Sequence, residues 1–112
     1  MTYTLRFLPG VEEDAIAGYI WYEEKSPGLG EDFLRMFYAY ASEIPRNPLL
    51  YQKVYREFRR CLLRRFPYAI YFRIEGNDIV VFGLFHCARD PHLIQVSLLD
   101  RDGSENGQQS AE

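Results

Sequence analysis

The stretch Phe58–Pro91, FRRCLLRRFPYAIYFRIEGNDIVVFGLFHCARDP, decides the fold. It reads as three strands in succession: Phe58–Arg65, then Tyr68–Glu75 after a break at Phe66-Pro67, then Ile79–Cys87. Gly76-Asn77 separates the last two, and both residues tolerate the positive φ that a two-residue hairpin turn needs. With that turn as the loop, Glu75 pairs with Asp78, Ile74 with Ile79, Phe72 with Val81 and Ile70 with Gly83. Side chains alternate along a strand, so Ile70, Phe72, Ile74, Ile79, Val81 and Phe85 make one apolar face, expected to meet helices. The opposite face carries Ala69, Tyr71, Arg73, Val80, Phe82, Leu84 and His86. It is too apolar for plain exposure and too mixed for a plain core. Two readings of it stand: a surface that receives a partner at Phe82 and Leu84, or one covered by a neighbouring strand, the C-terminal segment or a self-dimer. The first strand shows arginine on both faces unless a bulge at Leu62-Leu63 shifts its register.

Upstream, Tyr3–Leu8 alternates as a half-buried strand does, and Pro9-Gly10 ends it. From Val11 the spacing turns helical. Ile16, Tyr19 and Ile20, widened by Ala15, form the expected apolar stripe, and Glu12, Glu13 and Asp14 occupy the first turn, where acids suit the helix dipole. This helix is expected to end near Glu24 or Lys25. Ser26-Pro27 then caps and opens a second helix with Pro27 at its first position. Leu29, Phe33, Phe37, Tyr40 and Ile44 recur at spacings of three and four until Pro45 and Asn47-Pro48 stop it. Helices joined so closely lie antiparallel and cover one face of a sheet. Residues Pro48–Tyr55 read as a packed connector. Beyond Pro91, His92–Leu99 is expected as a short strand or helix. The expected architecture is α+β: an N-terminal strand, an antiparallel helical hairpin and a three-stranded antiparallel meander that completes a twisted four-stranded sheet. Residues 1–99 form the single domain, and 100–112, polar and aperiodic, a flexible tail.

A chain of 112 residues with 47% apolar and 16% aromatic content has the material for one core and one domain. No apolar run reaches membrane-span length, and the N-terminus lacks a signal-peptide layout, so a cytoplasmic protein is expected. In a reducing compartment Cys61 and Cys87 read as small buried apolar groups. With His86 and His92 they match no closed zinc spacing, so neither metal nor cofactor is expected. The formal net charge of −3 hides an asymmetry. Lys53, Arg56, Arg59, Arg60, Arg64, Arg65 and Arg73 face a single acid, Glu57, within one short stretch, whereas acids crowd the first third and the C-terminus. Such a patch suits an acidic partner or a sheet edge charged against aggregation.

Three phrases, WYEEKSPGLGEDF (Trp21–Phe33), RRCLLRRFPYAIYF (Arg59–Phe72) and FHCARDP (Phe85–Pro91), resemble the RelE/ParE superfamily of bacterial toxins, and the likeness runs over about residues 3 to 91. The resemblance implies a helical hairpin on a twisted sheet, encoded with a cognate antitoxin whose partly disordered segment wraps the toxin. It leaves two functions open. RelE-like members cleave mRNA on the ribosome; in this chain Arg65, His86 and Arg89 are the residues that could carry that chemistry, as proton donor or acceptor and as holders of phosphate charge. ParE-like members bind and poison DNA gyrase without hydrolytic chemistry. No tyrosine follows Tyr71, and Lys25 and Lys53 are the only lysines, so the catalytic tyrosine and lysine-rich RNA surface of many RelE-like toxins have no counterpart. The phrases lie nearer the ParE branch. On that reading Arg59, Arg60, Arg64, Arg65, Arg73 and Arg89, with apolar Phe82 and Leu84, form the surface for the antitoxin or target, as a toxin–antitoxin assembly or with a homodimer.

Overall fold

The computed structural model describes residues 2–110, and the side chains of residues 2–103. Strand β1 (Thr4–Phe7) leads into helix α1 (Pro9–Lys25) and helix α2 (Leu29–Glu43). Two short 3-10 turns, Ile44–Arg46 and Pro48–Leu50, connect to β2 (Lys53–Tyr55), β3 (Phe58–Leu62), β4 (Tyr68–Glu75) and β5 (Asp78–His86), and α3 (Pro91–Ser110) follows. The helical hairpin and the β3-β4-β5 meander stand where periodicity and the Gly76-Asn77 turn place them.

The sheet corrects the expected four-stranded antiparallel one. It has five strands in the order β1-β5-β4-β3-β2, and β1 pairs parallel with β5, Leu5 opposite Ile79 and Phe7 opposite Val81. The extra strand, β2, is three residues long with an irregular register, too short to show alternation, and it shields one sheet edge. Residues 91–110, read from sequence as a short element followed by a flexible tail, form one helix that runs through the expected boundary at 99; residues 111–112 lie outside the described ones. This helix lies on the sheet face opposite the hairpin, so the molecule has three layers: α1 and α2, the sheet, and α3.

The register near the turn is as expected, from Glu75 opposite Asp78 to Phe72 opposite Val81. A bulge then intervenes, and Tyr71, not Ile70, stands opposite Gly83. Beyond it Ile70 pairs with Leu84 and Ala69 with Phe85, so the expected faces of Leu84 and Phe85 are exchanged. Leu84 joins Ile70, Phe72 and Val81 toward the hairpin. Phe85 turns to the α3 side, where its ring lies 5.7 Å from that of Tyr71. Gly83 is required there, because a Cβ would come within 2.4 Å of the Phe85 ring. Phe82, fully buried, packs edge-on against Phe58 at 4.9 Å.

Helix α2 buries Phe33, Phe37 and Ala41, much as its stripe predicts. Helix α1 does not follow its predicted stripe. Val11, Ala15 and Gly18 are buried, while Ile16 and Ile20 are 50% and 49% exposed. The reason is close approach: a Cβ at Gly18 would sit 2.5 Å from the Phe33 ring, so the contact face takes small residues and the larger apolar ones turn outward. The start of α2 also differs. Pro27 lies in the link, Gly28 adopts a left-handed φ of 87°, and Glu23 of α1 accepts from the backbone N–H of Gly28 (2.9 Å) and Gly30 (3.0 Å), supplying the cap expected from Ser26.

Candidate functional site

The FHCARDP phrase folds into the turn that joins β5 to α3, and its polar side chains hold backbone. His86 Nδ1 accepts from the Ala88 N–H at 2.9 Å, and Asp90 accepts from the His92 N–H at 2.9 Å, capping α3 with Pro91 as its first residue. A neutral imidazole that accepts at Nδ1 carries its proton at Nε2. His86 therefore presents a donor, not the lone pair of a general base. Arg89 lies over the Phe85 ring at 4.9 Å and donates to Ser97 Oγ at 3.3 Å. His86 and Arg89 line one groove of about 260 Å³, together with Asp14, Trp21 and Tyr68, over a floor of Gly18, Leu84 and Phe85. The His86 and Tyr68 rings pack edge-to-face with their centroids 5.2 Å apart.

Arg65 is elsewhere. It lies in the link between β3 and β4, 3.3 Å from Asp32 of α2 and over the Phe66 ring, and does not line the groove of His86 and Arg89. The other arginines divide by environment. Arg59 donates to the Tyr51 carbonyl at 2.7 Å. Arg73 is internal: it stacks on Phe58 and Phe82, pairs with Glu75, and donates to both Asp102 carboxylate oxygens at 2.9 and 3.1 Å. Hydrogen bonds to these acids raise its pKa despite burial, so Arg73 is an internal fixed charge. Arg60 and Arg64 are exposed and make no ion pair among the described residues. Arg60, Arg89, Cys87 and Tyr71 line a second, smaller pocket of about 140 Å³ beside Ile94 and Leu98 of α3. Phe82 and Leu84, expected as accessible partner contacts, are buried. The mixed sheet face is covered by the chain's own C-terminal helix, and Leu84 lies on the hairpin side.

Sequence reading missed Asp14, Arg101 and Asp102. Past the end of β1, the Leu84 N–H donates to Asp14 at 3.0 Å, while Arg101 donates to the Phe82 carbonyl at 2.8 Å and to both Asp14 oxygens at 2.7 and 3.0 Å. Hydrogen bonding to Asp14 raises the Arg101 pKa, with burial opposing. Asp14 and Arg101 thus satisfy backbone groups that the bulge leaves without a strand partner. No local signal could reveal a pair 87 residues apart.

Cys61 is buried as expected, and Cys87 is exposed, contrary to expectation, because it lies in the turn just past β5. Burial pushes the Cys61 thiol up to about 11 from 9.0, and burial also raises Tyr22, Tyr51 and Tyr68 above 10.0. Each of these groups ionises at lower pH in the unfolded chain, so its contribution to stability is whole below the unfolded pKa and is lost as pH rises toward the folded one. For Cys61 that window runs from about 9 to about 11. We expect urea-unfolding midpoints level to about pH 9 and falling above it, with Cys87 alone reacting with a chromogenic disulfide before denaturant is added. Prompt reaction of both thiols in the native protein would contradict this burial. Among the described residues no group of His, Cys, Asp and Glu is placed to hold a metal, and no helix is long and apolar enough to cross a membrane.

Comparison with known proteins places this arrangement. Toxin ParE2 of Mycobacterium tuberculosis, in strains H37Rv and CDC 1551, is 24% identical over 102 residues, covering 90% of this chain and 97% of that protein. The structure of the chromosomal ParDE toxin–antitoxin system from P. aeruginosa superposes with a TM-score of 0.70 at 16% identity, over 76% of this chain and 96% of that one. The toxin–antitoxin complex RelBE2 from M. tuberculosis superposes at 0.54 and 22% identity, over 77% and 99%. Residues 5–91, from β1 to the first residue of α3, match the family described as the ParE toxin of the type II toxin-antitoxin system parDE. With its strand, hairpin and meander all inside that match, the chain belongs to the ParE toxin family, within the RelE/ParE superfamily.

Proposed function

We propose that this toxin acts as ParE-like members do, by binding a cellular protein target such as DNA gyrase, and that a cognate antitoxin neutralises it. The observation that carries this reading is the continuous match of residues 5–91 to the ParE family. The site geometry is consistent with a non-hydrolytic role. Arg65 is paired to Asp32 away from His86 and Arg89, so the three residues of the nuclease alternative do not converge on one groove. The exposed Arg60, Arg64 and Arg89 remain for protein contacts, with guanidinium forks suited to carboxylates. Relatives of the fold are solved as toxin–antitoxin complexes, which supports the antitoxin as a partner.

Two assays test the reading together. Purified protein is added to a gyrase supercoiling and cleavage reaction, and to a coupled translation reaction with primer-extension mapping of the mRNA. We expect gyrase to be inhibited or trapped on DNA and the mRNA to stay intact. New mRNA ends that need ribosomes and vanish with His86→Ala or Arg65→Ala would overturn the proposal in favour of the nuclease. In cells, expression alone should arrest growth, and co-expression of the adjacent reading frame should relieve it.

A further inference from the structure

We infer that the free edge of β1 is where a second copy of this chain docks, the two β1 strands pairing antiparallel across a two-fold axis. Such a contact goes beyond the function proposed above and holds whether or not that function does. The sheet has two edges, β1 and β2, and only one of them is guarded. Strand β2 is three residues long, irregular in register and charged at Lys53, with Arg56 and Glu57 just after it. β1 has none of these devices. Its register with β5 is unbroken from Thr4 to Phe7, it holds no proline or glycine, and every residue but Leu5 is exposed. Its one charge, Arg6, lies 3.5 Å from Glu75 and 3.6 Å from Asp78 of its own sheet, so no uncompensated charge repels an incoming strand. The N–H groups of Thr4 and Leu8 donate to the Asn77 and Val81 carbonyls. Backbone groups alternate sides along a strand, so those of Tyr3, Leu5 and Phe7 point away from the sheet.

The same edge carries an aromatic cluster on the hairpin side. Phe7 is 38% and Tyr38 48% exposed, with ring centroids 6.1 Å apart, and they line a cavity of about 240 Å³ with Pro9, Val11 and Glu12 in its wall. The chain's own first strand fits this edge in one register. With Leu5 opposite Leu5 of the second copy, Tyr3 stands opposite Phe7 at both ends, and every outward backbone group of the three residues is used. Phe7 packs on Phe37 of α2, so Tyr3, two pairs of residues earlier, shares its side of the sheet. Each copy thus lends its Tyr3 to the other's Phe7 and Tyr38 and fills a cavity that a single chain leaves open. Glu12 stands in the wall of that cavity as an acceptor for the phenol O–H. On the other face Thr4 meets Arg6, and no like charges oppose each other. A shift of two residues would set Arg6 against Arg6 and leave Tyr3 without a partner. The contact is self-complementary, as a two-fold interface must be. A strand from another protein would have to reproduce the alternation of aromatic and neutral residues that this chain already carries.

Sedimentation of the purified full chain over a range of concentrations tests this without a toxin assay. The mass should rise from that of one chain toward twice it, half of the protein being dimeric near about 10 µM, because the contact is smaller than that of a permanent dimer. Phe7→Lys and Tyr38→Lys, both at exposed positions and checked by thermal melting, should each weaken association by about tenfold or more. Leu49→Lys, exposed on the turn beside the other sheet edge, should associate as wild type. Cross-linking reads the register. In a Cys87→Ser background Leu5→Cys should form an interchain disulfide on mild oxidation, its Cα atoms about 5.5 Å apart across the axis, while Thr4→Cys, exposed but opposite Arg6, should not. A wild-type chain that stays monomeric at about 100 µM overturns the inference and leaves the edge to a strand from another protein. A dimer that both lysine substitutions leave intact, or that cross-links as well through Thr4→Cys as through Leu5→Cys, overturns it too.

Discussion

Asp14→Ala is expected to lower the unfolding free energy by about 3 kcal/mol. The side chains of Asp14 and Arg101 are only 13% and 23% exposed, so this pair is not one of the solvated surface bridges whose worth is close to zero. Removing the carboxylate strands the guanidinium of Arg101 and leaves the Leu84 N–H without its acceptor, two unmet groups from one deletion. The Phe82 carbonyl keeps Arg101 as donor, which limits the loss. Asp14→Asn should cost less, because an amide oxygen still accepts from Leu84 although the charge is gone. A double-mutant cycle with Arg101→Ala should show a coupling of about 1 to 3 kcal/mol, the double variant costing less than the sum. Urea unfolding of the four proteins measures all of this. A loss below about half a kcal/mol for Asp14→Ala would show that the bulge does not depend on the pair.

Phe33→Ala should cost about 4 kcal/mol. Phe33 is fully buried at the crossing of α1, α2 and the sheet, with ring centroids of Tyr22, Phe66 and Tyr68 at 5.2, 5.3 and 4.8 Å. Truncation removes the ring from three aromatic contacts and leaves a void that the rigid hairpin cannot close. A second substitution gives the sign of the effect. Gly18→Ala alone should destabilise by about 1 to 3 kcal/mol, since overpacking against the buried Phe33 outweighs the better helix propensity of alanine. In the Phe33→Ala background the same change should become neutral or stabilising, because the ring it struck is gone. Additive losses in the two backgrounds would mean that Gly18 serves some purpose other than closeness to Phe33.

The candidate site was legible where its parts are neighbours in sequence. His86, Arg89 and Asp90 sit in one phrase, and the structure sets them in one turn, with Arg89 and His86 sharing a groove. Arg65 read as their companion by residue type alone. It lies in another link and is engaged by Asp32 of α2. Arg73 read as one more member of a basic surface, yet Asp102, 29 residues on, draws it into an internal ion pair. Trp21 gave no signal as a site residue, since an exposed apolar side chain on a helix is common and only a facing wall makes it a groove.

By itself the sequence determined the hairpin of α1 and α2, the Gly76-Asn77 turn with the register next to it, the buried stripe of α2 and the family likeness. These rest on periodicity and turn chemistry within a few residues, where the local preference and the final fold agree. Tertiary structure alone decided the bulge that exchanges Leu84 and Phe85, the small-residue face of α1, the parallel pairing of β1, and the coverage of the second sheet face by α3. One inserted residue reverses every side chain beyond it, and no local pattern records such a slip. Which apolar residue of α1 is buried depends on how near Phe33 comes, and which acid neutralises Arg101 depends on a helix that arrives 87 residues later. Such choices are made by contacts between distant segments, and they become visible only once the layers are packed.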